Sequence, residues 1–153
     1  MSVIIERFTK ATKSHYELLL DADPSRKVVD SYLSKSHCIE AKVGLKVIGV
    51  IILLPTRPNT LEIVNIAVSN DFQGQGIGRI LIEYALEFAR EHEMKTVEIG
   101  TGSTSVGALY LYQKCGFRMT HIDKDFFSRH YDEKIIENEI ELRDMVRMSQ
   151  DLC

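Results

Sequence analysis

The run Asn-Ile-Ala-Val-Ser-Asn-Asp-Phe-Gln-Gly-Gln-Gly-Ile-Gly-Arg, from Asn65 to Arg79, constrains the fold of this chain more than any other segment. It begins inside Leu61 to Val68, an apolar stretch with few charges, the pattern of a central strand covered on both faces. Three alternating glycines follow, and from Gly76 to His92 the apolar residues Ile77, Leu81, Tyr84 and Phe88 recur at spacings of 4, 3 and 4. That is the period of an amphipathic helix on a sheet, with Arg79, Glu83, Glu87, Arg90 and Glu91 as its solvated face. A strand turning through glycines straight into a helix lets a ligand approach bare backbone. It also points the helix's first free N–H groups and its positive dipole end outward. The corner therefore predicts a phosphate site, with Arg79 adding charge. Gly74-x-Gly76-x-Gly78 lacks the Lys-Ser/Thr of a nucleoside triphosphate loop and does not fit the Gly-x-Gly-x-x-Gly dinucleotide fingerprint.

The rest of the chain places this corner in an α/β order. Ser2 to Thr9 alternates as a strand, Lys13 to Leu20 carries a helical stripe, and Asp23-Pro24-Ser25 stops that helix and starts a second one reaching Leu33. Cys38 to Val43 and Lys46 to Leu54 are strands joined at Gly44-Leu45 as a hairpin, and Pro55 to Thr60 is turn chemistry. After the glycine helix come a strand from Thr96 to Thr101 and a helix from Ser105 to Lys114, closed by Cys115-Gly116-Phe117 with glycine where a left-handed cap belongs. Phe117 to Phe127 and Ile140 to Met148 read as the last strands, joined by a loop containing His130 and Tyr131. The expectation is one domain over residues 1–153, an α/β (α+β) fold with a mixed, mostly antiparallel twisted sheet of about seven strands and about four helices.

Charge and cysteine usage narrow the function. A formal charge of -3 with no Lys/Arg cluster argues against a nucleic-acid partner. No apolar run approaches the ~20 residues of a membrane span, and the N-terminus shows no secretory pattern, so a cytoplasmic, membrane-free protein is expected. Cys38, Cys115 and Cys153 fall outside any disulfide or zinc spacing, and His92, His121 and His130 have no ligand-spaced partner, so no metal is expected.

Gln73-Gly74-Gln75-Gly76-Ile77-Gly78 resembles the Gln/Arg-x-x-Gly-x-Gly/Ala signature of the GNAT superfamily of N-acetyltransferases, and Leu111-Tyr112-Gln113-Lys114-Cys115-Gly116-Phe117 resembles that family's later Leu-Tyr-x-Lys-x-Gly-Phe. The resemblance spans Val3 to Met148 in element order and Leu61 to Phe117 in motif detail. It implies acetyl-coenzyme A as cosubstrate, lying where the sheet splays between Leu61–Val68 and Thr96–Thr101. Ile66, Ala67 and Val68 would offer backbone groups to pantetheine and the thioester carbonyl, while Gln73, Gly74, Gln75, Gly76, Ile77, Gly78 and Arg79 would cradle the pyrophosphate. Ser103 or Ser105 stands where many relatives carry an Asn that contacts pantetheine.

The implied reaction is direct transfer of acetyl to a primary amine, a protein N-terminus or a small amine, in a ternary complex. It needs an uncharged nucleophile, a donor for the developing oxyanion and a proton for the leaving thiolate. A backbone N–H near Ile66 is the candidate oxyanion donor, and by resemblance Tyr112 is the general acid. Glu98 lies where relatives acting on protein N-termini carry their base, with Glu62 and a water chain as alternatives. Phe126, Phe127, His130 and Tyr131 fall where relatives place a substrate-facing loop, although the expectation for Phe126 and Phe127 is core and for His130 surface. A non-catalytic acyl-coenzyme A sensor that keeps the glycine turn is the alternative reading, and a homodimer is left open.

Overall fold

The computed structural model describes residues 2–152; Cys153 lies outside them. Nine strands and five α-helices follow in the order β1 (Ile4–Phe8), α1 (Lys13–Ala22), α2 (Arg26–Leu33), β2 (His37–Val43), β3 (Lys46–Arg57), β4 (Thr60–Val68), α3 (Ile77–Glu91), β5 (Thr96–Gly102), α4 (Val106–Lys114), β6 (Arg118–Asp123), α5 (Phe126–His130), β7 (Ile136–Glu137), β8 (Ile140–Glu141) and β9 (Met145–Asp151). Seven strands form one sheet in the order β1-β2-β3-β4-β5-β9-β6, and β7 with β8 makes a separate two-stranded ribbon. The β4–β5 pair is parallel and the other pairs are antiparallel. This is the mixed, mostly antiparallel seven-stranded sheet expected from the sequence.

Each face of the sheet is sealed by its own core. On one, Ile77, Leu81, Ala85 and Phe88 of α3 pack with Tyr112 and Phe117 against Ile39, Ile51, Leu61, Ile63 and Ile99. On the other, Leu18 and Leu19 of α1 and Val29 and Tyr32 of α2 cover Val50 and Ile52. Of the stripe that the sequence period of α3 predicts, Ile77, Leu81 and Phe88 are buried and Tyr84 is partly buried, and Ile82, Ala85, Leu86 and Ala89 widen the buried face.

Three expected elements differ. Strand β3 continues through Pro55 to Arg57, and its register with β4 shifts between those two residues, the kind of irregularity at which a strand tolerates proline. The strand expected over Phe117 to Phe127 ends at Asp123: Asp125 adopts a left-handed backbone (φ 60°), and its N–H donates to the Asp144 carboxylate, so the aromatic residues after it coil into α5. The strand expected over Ile140 to Met148 divides in two. Asn138 and Glu139 both take positive φ (54° and 65°), the two-residue turn that suits a tight hairpin, and this folds β8 back on β7 before β9 begins at Met145. The segment read as a loop is thus a helix followed by a small hairpin, and α5 is a fifth helix where about four were expected.

Candidate active site

Strands β4 and β5 pair from Thr60↔Thr96 to Ile63↔Ile99 and then part. Their separation coincides with a bulge in β4. The β3 register jumps from Leu53↔Ile63 to Ile52↔Asn65, leaving Val64 as an extra residue. A bulge bends its strand and exchanges the faces its side chains occupy. Beyond it, Ile66 and Val68 pack toward α3, while Val64 and Ala67 pack toward α1 and α2. Past Ile63, then, β4 has no strand on its β5 side, and alternate backbone N–H and C=O groups of Val64 to Val68 face open space.

That space is a cavity of about 830 Å³, a size suited to a small-molecule site. Its wall includes Val64 to Val68, Gly100 to Gly102, Ser105, Tyr112 and Gln73. Tyr112 belongs to the core on the α3 face, whereas Asp23, also in the wall, closes the end of α1 on the opposite face. The cavity therefore runs through the sheet where its strands diverge.

The glycine corner adjoins the cavity through Gln73, while Gly74 to Arg79 lie outside its wall. Gly74 (φ +77°) and Gly76 (φ +82°) both hold left-handed backbone, and a Cβ built on either would meet nothing within 4 Å, so the turn is open on its outer side. Gly76 is the N-cap of α3 and no side chain caps that end, so the N–H groups of Ile77, Gly78 and Arg79 stand free for an anion. The side chain of Ile77 is core, leaving its backbone alone to serve a ligand. Gln73 braces the turn, its amide nitrogen donating to Val68 O and Asn70 Oδ1 at 3.1 Å each, and Gln75 donates to Asp71 O. Arg79 is held at 2.9 Å by Glu83 on the exposed face, a pair of little net strength. An open turn with unpaired N–H groups beside a through-sheet cavity fits a long ligand with phosphates at one end and an apolar arm at the other.

Tyr112 is 6% exposed and meets Phe117 edge-on at 6.4 Å. Burial raises its phenol well above the ordinary range, so it remains protonated at any physiological pH. No hydrogen bond to its hydroxyl contributes to that shift, and the residue lines the cavity. Ser105 lines the cavity too, but its hydroxyl donates to Glu137 Oε1 at 2.6 Å, a carboxylate that also receives Thr104 Oγ1. The hairpin of β7 and β8 is pinned in this way over the start of α4. Ser103 is exposed and outside the cavity wall, its backbone N–H donating to Asp144 O.

The two glutamates weighed as bases sit elsewhere. Glu62 and Glu98 are register partners on the paired stretch of β4 and β5, short of the gap. Arg57 donates to Glu98, and Arg147 donates to Glu62 at 3.2 Å. Burial pushes the Glu62 carboxyl up while the Arg147 guanidinium opposes it. Neither residue lines the cavity.

A different carboxylate does. Asp23, 9% exposed, accepts from Tyr131 Oη at 2.9 Å and from the Ser25 N–H at 3.2 Å, both on Oδ1. Burial raises its carboxyl above the usual range, against the pull of those two donors. Tyr131 stacks on Phe127 at 5.6 Å, and both rings line the cavity, while His130 is exposed. Nearby, Asn65 donates to Leu19 O and to the Tyr32 hydroxyl, and its buried Oδ1 has no partner. Sequence reasoning treated Asp23 only as punctuation between helices. The available signal was electrostatic: Asp21 and Asp23 sit at the C-terminal end of α1, where the helix dipole disfavours anions and the last turn has no basic residue.

Among the described residues no cluster of three or more His, Cys, Asp or Glu could hold a metal ion, and no helix is long and apolar enough to cross a membrane. Cys38 and Cys115 are free thiols.

Residues 5–117 match the Acetyltransferase (GNAT) family. The uncharacterized N-acetyltransferase YvbK of Bacillus subtilis (strain 168) is 54% identical over 137 residues, covering 90% of this chain and 88% of that protein. An acetyltransferase of Bacillus subtilis solved in complex with CoA is 50% identical, with a TM-score of 0.95 over 99% of this chain and 100% of that one. A GNAT family acetyltransferase from Elizabethkingia anophelis with acetyl-CoA bound is 44% identical, with a TM-score of 0.94 over 98% of each chain.

Proposed function

Because the chain belongs to the GNAT family of N-acetyltransferases, we propose that it moves the acetyl group of acetyl-coenzyme A to a primary amine by direct attack with both substrates bound. The acceptor is a small amine or a protein N-terminus. The observation that carries this reading is the cavity running through the sheet, with the glycine corner and Tyr112 on one side and Asp23 and Tyr131 on the other. Two substrates can enter from opposite faces and meet at the bulge.

The coenzyme supplies an acyl group activated as a thioester. The free N–H groups of Ile77, Gly78 and Arg79, presented by Gly74 and Gly76 and braced by Gln73 and Gln75, receive its pyrophosphate. Arg79 can exchange its weak pair with Glu83 for a phosphate oxygen. Backbone groups of Ile66, Ala67 and Val68, unpaired on the gap side, take the pantetheine amides, with Ser105 in the cavity wall and Ser103 outside it. A gap-facing N–H near Ile66 steadies the carbonyl oxygen as nitrogen attacks, because a fixed amide in a confined site needs no reorganisation. As the C–N bond forms and C–S breaks, nitrogen sheds a proton and sulfur gains one. Tyr112 donates a hydrogen bond to the sulfur; a phenol raised by burial stays in the form that can do so. With Glu98 bound by Arg57 and Glu62 by Arg147, both outside the cavity wall, removal of the nitrogen's proton falls to water in the cavity.

Calorimetric titration of acetyl-coenzyme A into the wild type and a Gly76→Asp variant tests the reading. An aspartate there adds bulk and like charge to the cradle. Micromolar binding by the wild type, lost in the variant, is expected; a folded wild type that does not bind overturns the proposal.

A further inference from the structure

We propose that the acceptor is a small amine carrying more than one positive charge, and that Asp23, set by Tyr131, holds an ammonium other than the nitrogen that is acetylated. The inference rests on the transferase reading above and goes on to name its acceptor class.

The first support is the charge of the cavity. Its wall carries the carboxylates of Asp21, Asp23 and Glu137 and, among the described residues, no Lys, Arg or His. In a partly enclosed space such a wall favours cations and opposes acceptors bearing a free carboxylate.

The second support is the construction of the Asp23 site. Both hydrogen bonds to its side chain fall on Oδ1, leaving Oδ2 without a protein donor. Oδ2 is not among the fully buried unpartnered atoms, so the oxygen that has no donor among the described residues keeps some exposure, on a residue that lines the cavity. Tyr131 fixes the carboxylate from 108 residues away in sequence, a link that brings the segment after α5 against the end of α1. Its ring and that of Phe127, stacked on each other, line the same cavity and offer apolar surface for the methylene chain of an amine.

The third support is the helix that ends there. The C-terminal end of α1 carries partial negative charge, and Asp23 adds a full one with no basic residue in the last turn to offset it. This arrangement is unfavourable for the free protein and favourable once a cation occupies the site, the kind of local conflict expected at functional positions.

The chemistry then decides which nitrogen is held. An ammonium paired with a carboxylate is stabilised in its charged form and has no lone pair, so it cannot be the nucleophile. A second nitrogen on the same molecule reaches the thioester, and Asp23 acts as anchor rather than base.

Initial-rate kinetics with butanediamine and butylamine as acceptors, at fixed acetyl-coenzyme A, tests this in the wild type, Asp23→Asn and Tyr131→Phe. The wild type should prefer the diamine by about tenfold or more in kcat/KM, the worth of one charge-assisted hydrogen bond. Asp23→Asn should abolish that preference, Tyr131→Phe should weaken it, and calorimetric affinity for acetyl-coenzyme A should be retained in both. Equal use of the two amines by the wild type, or a preference that survives Asp23→Asn, overturns the anchor and leaves the transferase reading standing. Failure to acetylate any amine, including peptide N-termini, overturns both. Because the wild-type ratio is decisive by itself, a variant that fails to fold does not shelter the proposal.

Discussion

At the scale of single residues, burial has set two groups apart from their ordinary behaviour, and each gives a testable consequence. Tyr112 is held as a phenol by desolvation, with no hydrogen bond to its hydroxyl contributing among the described residues. A coenzyme thiol near the ordinary ~8.5 of a free thiol is the stronger acid, so in the proposed reaction Tyr112 would act by hydrogen bonding to the leaving sulfur more than by outright proton transfer. Tyr112→Phe should therefore lower kcat by about ten- to a hundredfold, the range of one lost charge-assisted bond, with acetyl-coenzyme A affinity changed little. An unchanged kcat in steady-state assays would remove Tyr112 from the reaction. Asp23 carries the second consequence. Its carboxyl titrates higher in the folded protein than in the unfolded chain, chiefly through burial. The native state binds the extra proton between those two pKa values, so stability declines as pH rises through that window and the whole cost is present at neutral pH. Asp23→Asn, which can still accept from Tyr131 and Ser25, should raise stability at neutral pH by about 0.5–2 kcal/mol, the usual yield of relieving a functional conflict. The gain should close as pH falls below the ordinary Asp value of about 3.9. Thermal unfolding of both proteins across pH checks it, and a lower midpoint for the variant at neutral pH would show that those hydrogen bonds prefer the charged group by more than its burial costs.

At the scale of elements, what could be read from the sequence followed from how locally each feature is encoded. The stripe of α3 and the hairpin at Gly44-Leu45 are properties of neighbouring residues, and both stand in the structure. The bulge at Val64 is different in kind. It is a relation between β4 and β3, and Val-Asn-Ile-Ala-Val reads the same, a mostly apolar run with one Asn, whether or not one residue is left unpaired. Yet the bulge stands where β4 parts from β5, and it exchanges the faces presented by Asn65 and Ile66. The short elements were hidden for another reason. A five-residue helix and a pair of two-residue strands carry too little period to detect, and they exist because Asp125, Asn138 and Glu139 accept left-handed backbone and because Glu137 and Asn138 are tied to Thr104 and Ser105. The glycine corner was visible in advance, whereas the acceptor side, joining Asp23 to Tyr131, depends on contacts that no sequence window contains.

At the scale of the whole molecule, the same divergence that opens the cavity weakens the join between two parts of the sheet. Strands β1 to β4 meet β5, β9 and β6 through only four register pairs, from Thr60↔Thr96 to Ile63↔Ile99. A ligand lying in the gap between β4 and β5 would replace missing strand contacts with its own, and so bind the folded chain while having no site on the unfolded one. Mass action then fixes the size of the effect: at a hundred times its dissociation constant acetyl-coenzyme A adds about 2.7 kcal/mol of stability. For a chain of this length that is a rise of about 5–10 °C in the unfolding midpoint. Gly76→Asp separates this from simple damage to the fold. Its aspartate must adopt the φ of +82° held by Gly76, which should cost about 1 kcal/mol and lower the unliganded midpoint by a few degrees. The ligand-dependent increment, measured from that lower baseline, should vanish because the phosphate end no longer docks. An increment that persists in the variant would mean that pantetheine contacts along Ile66 to Val68 supply most of the binding and that the glycine corner serves the fold alone.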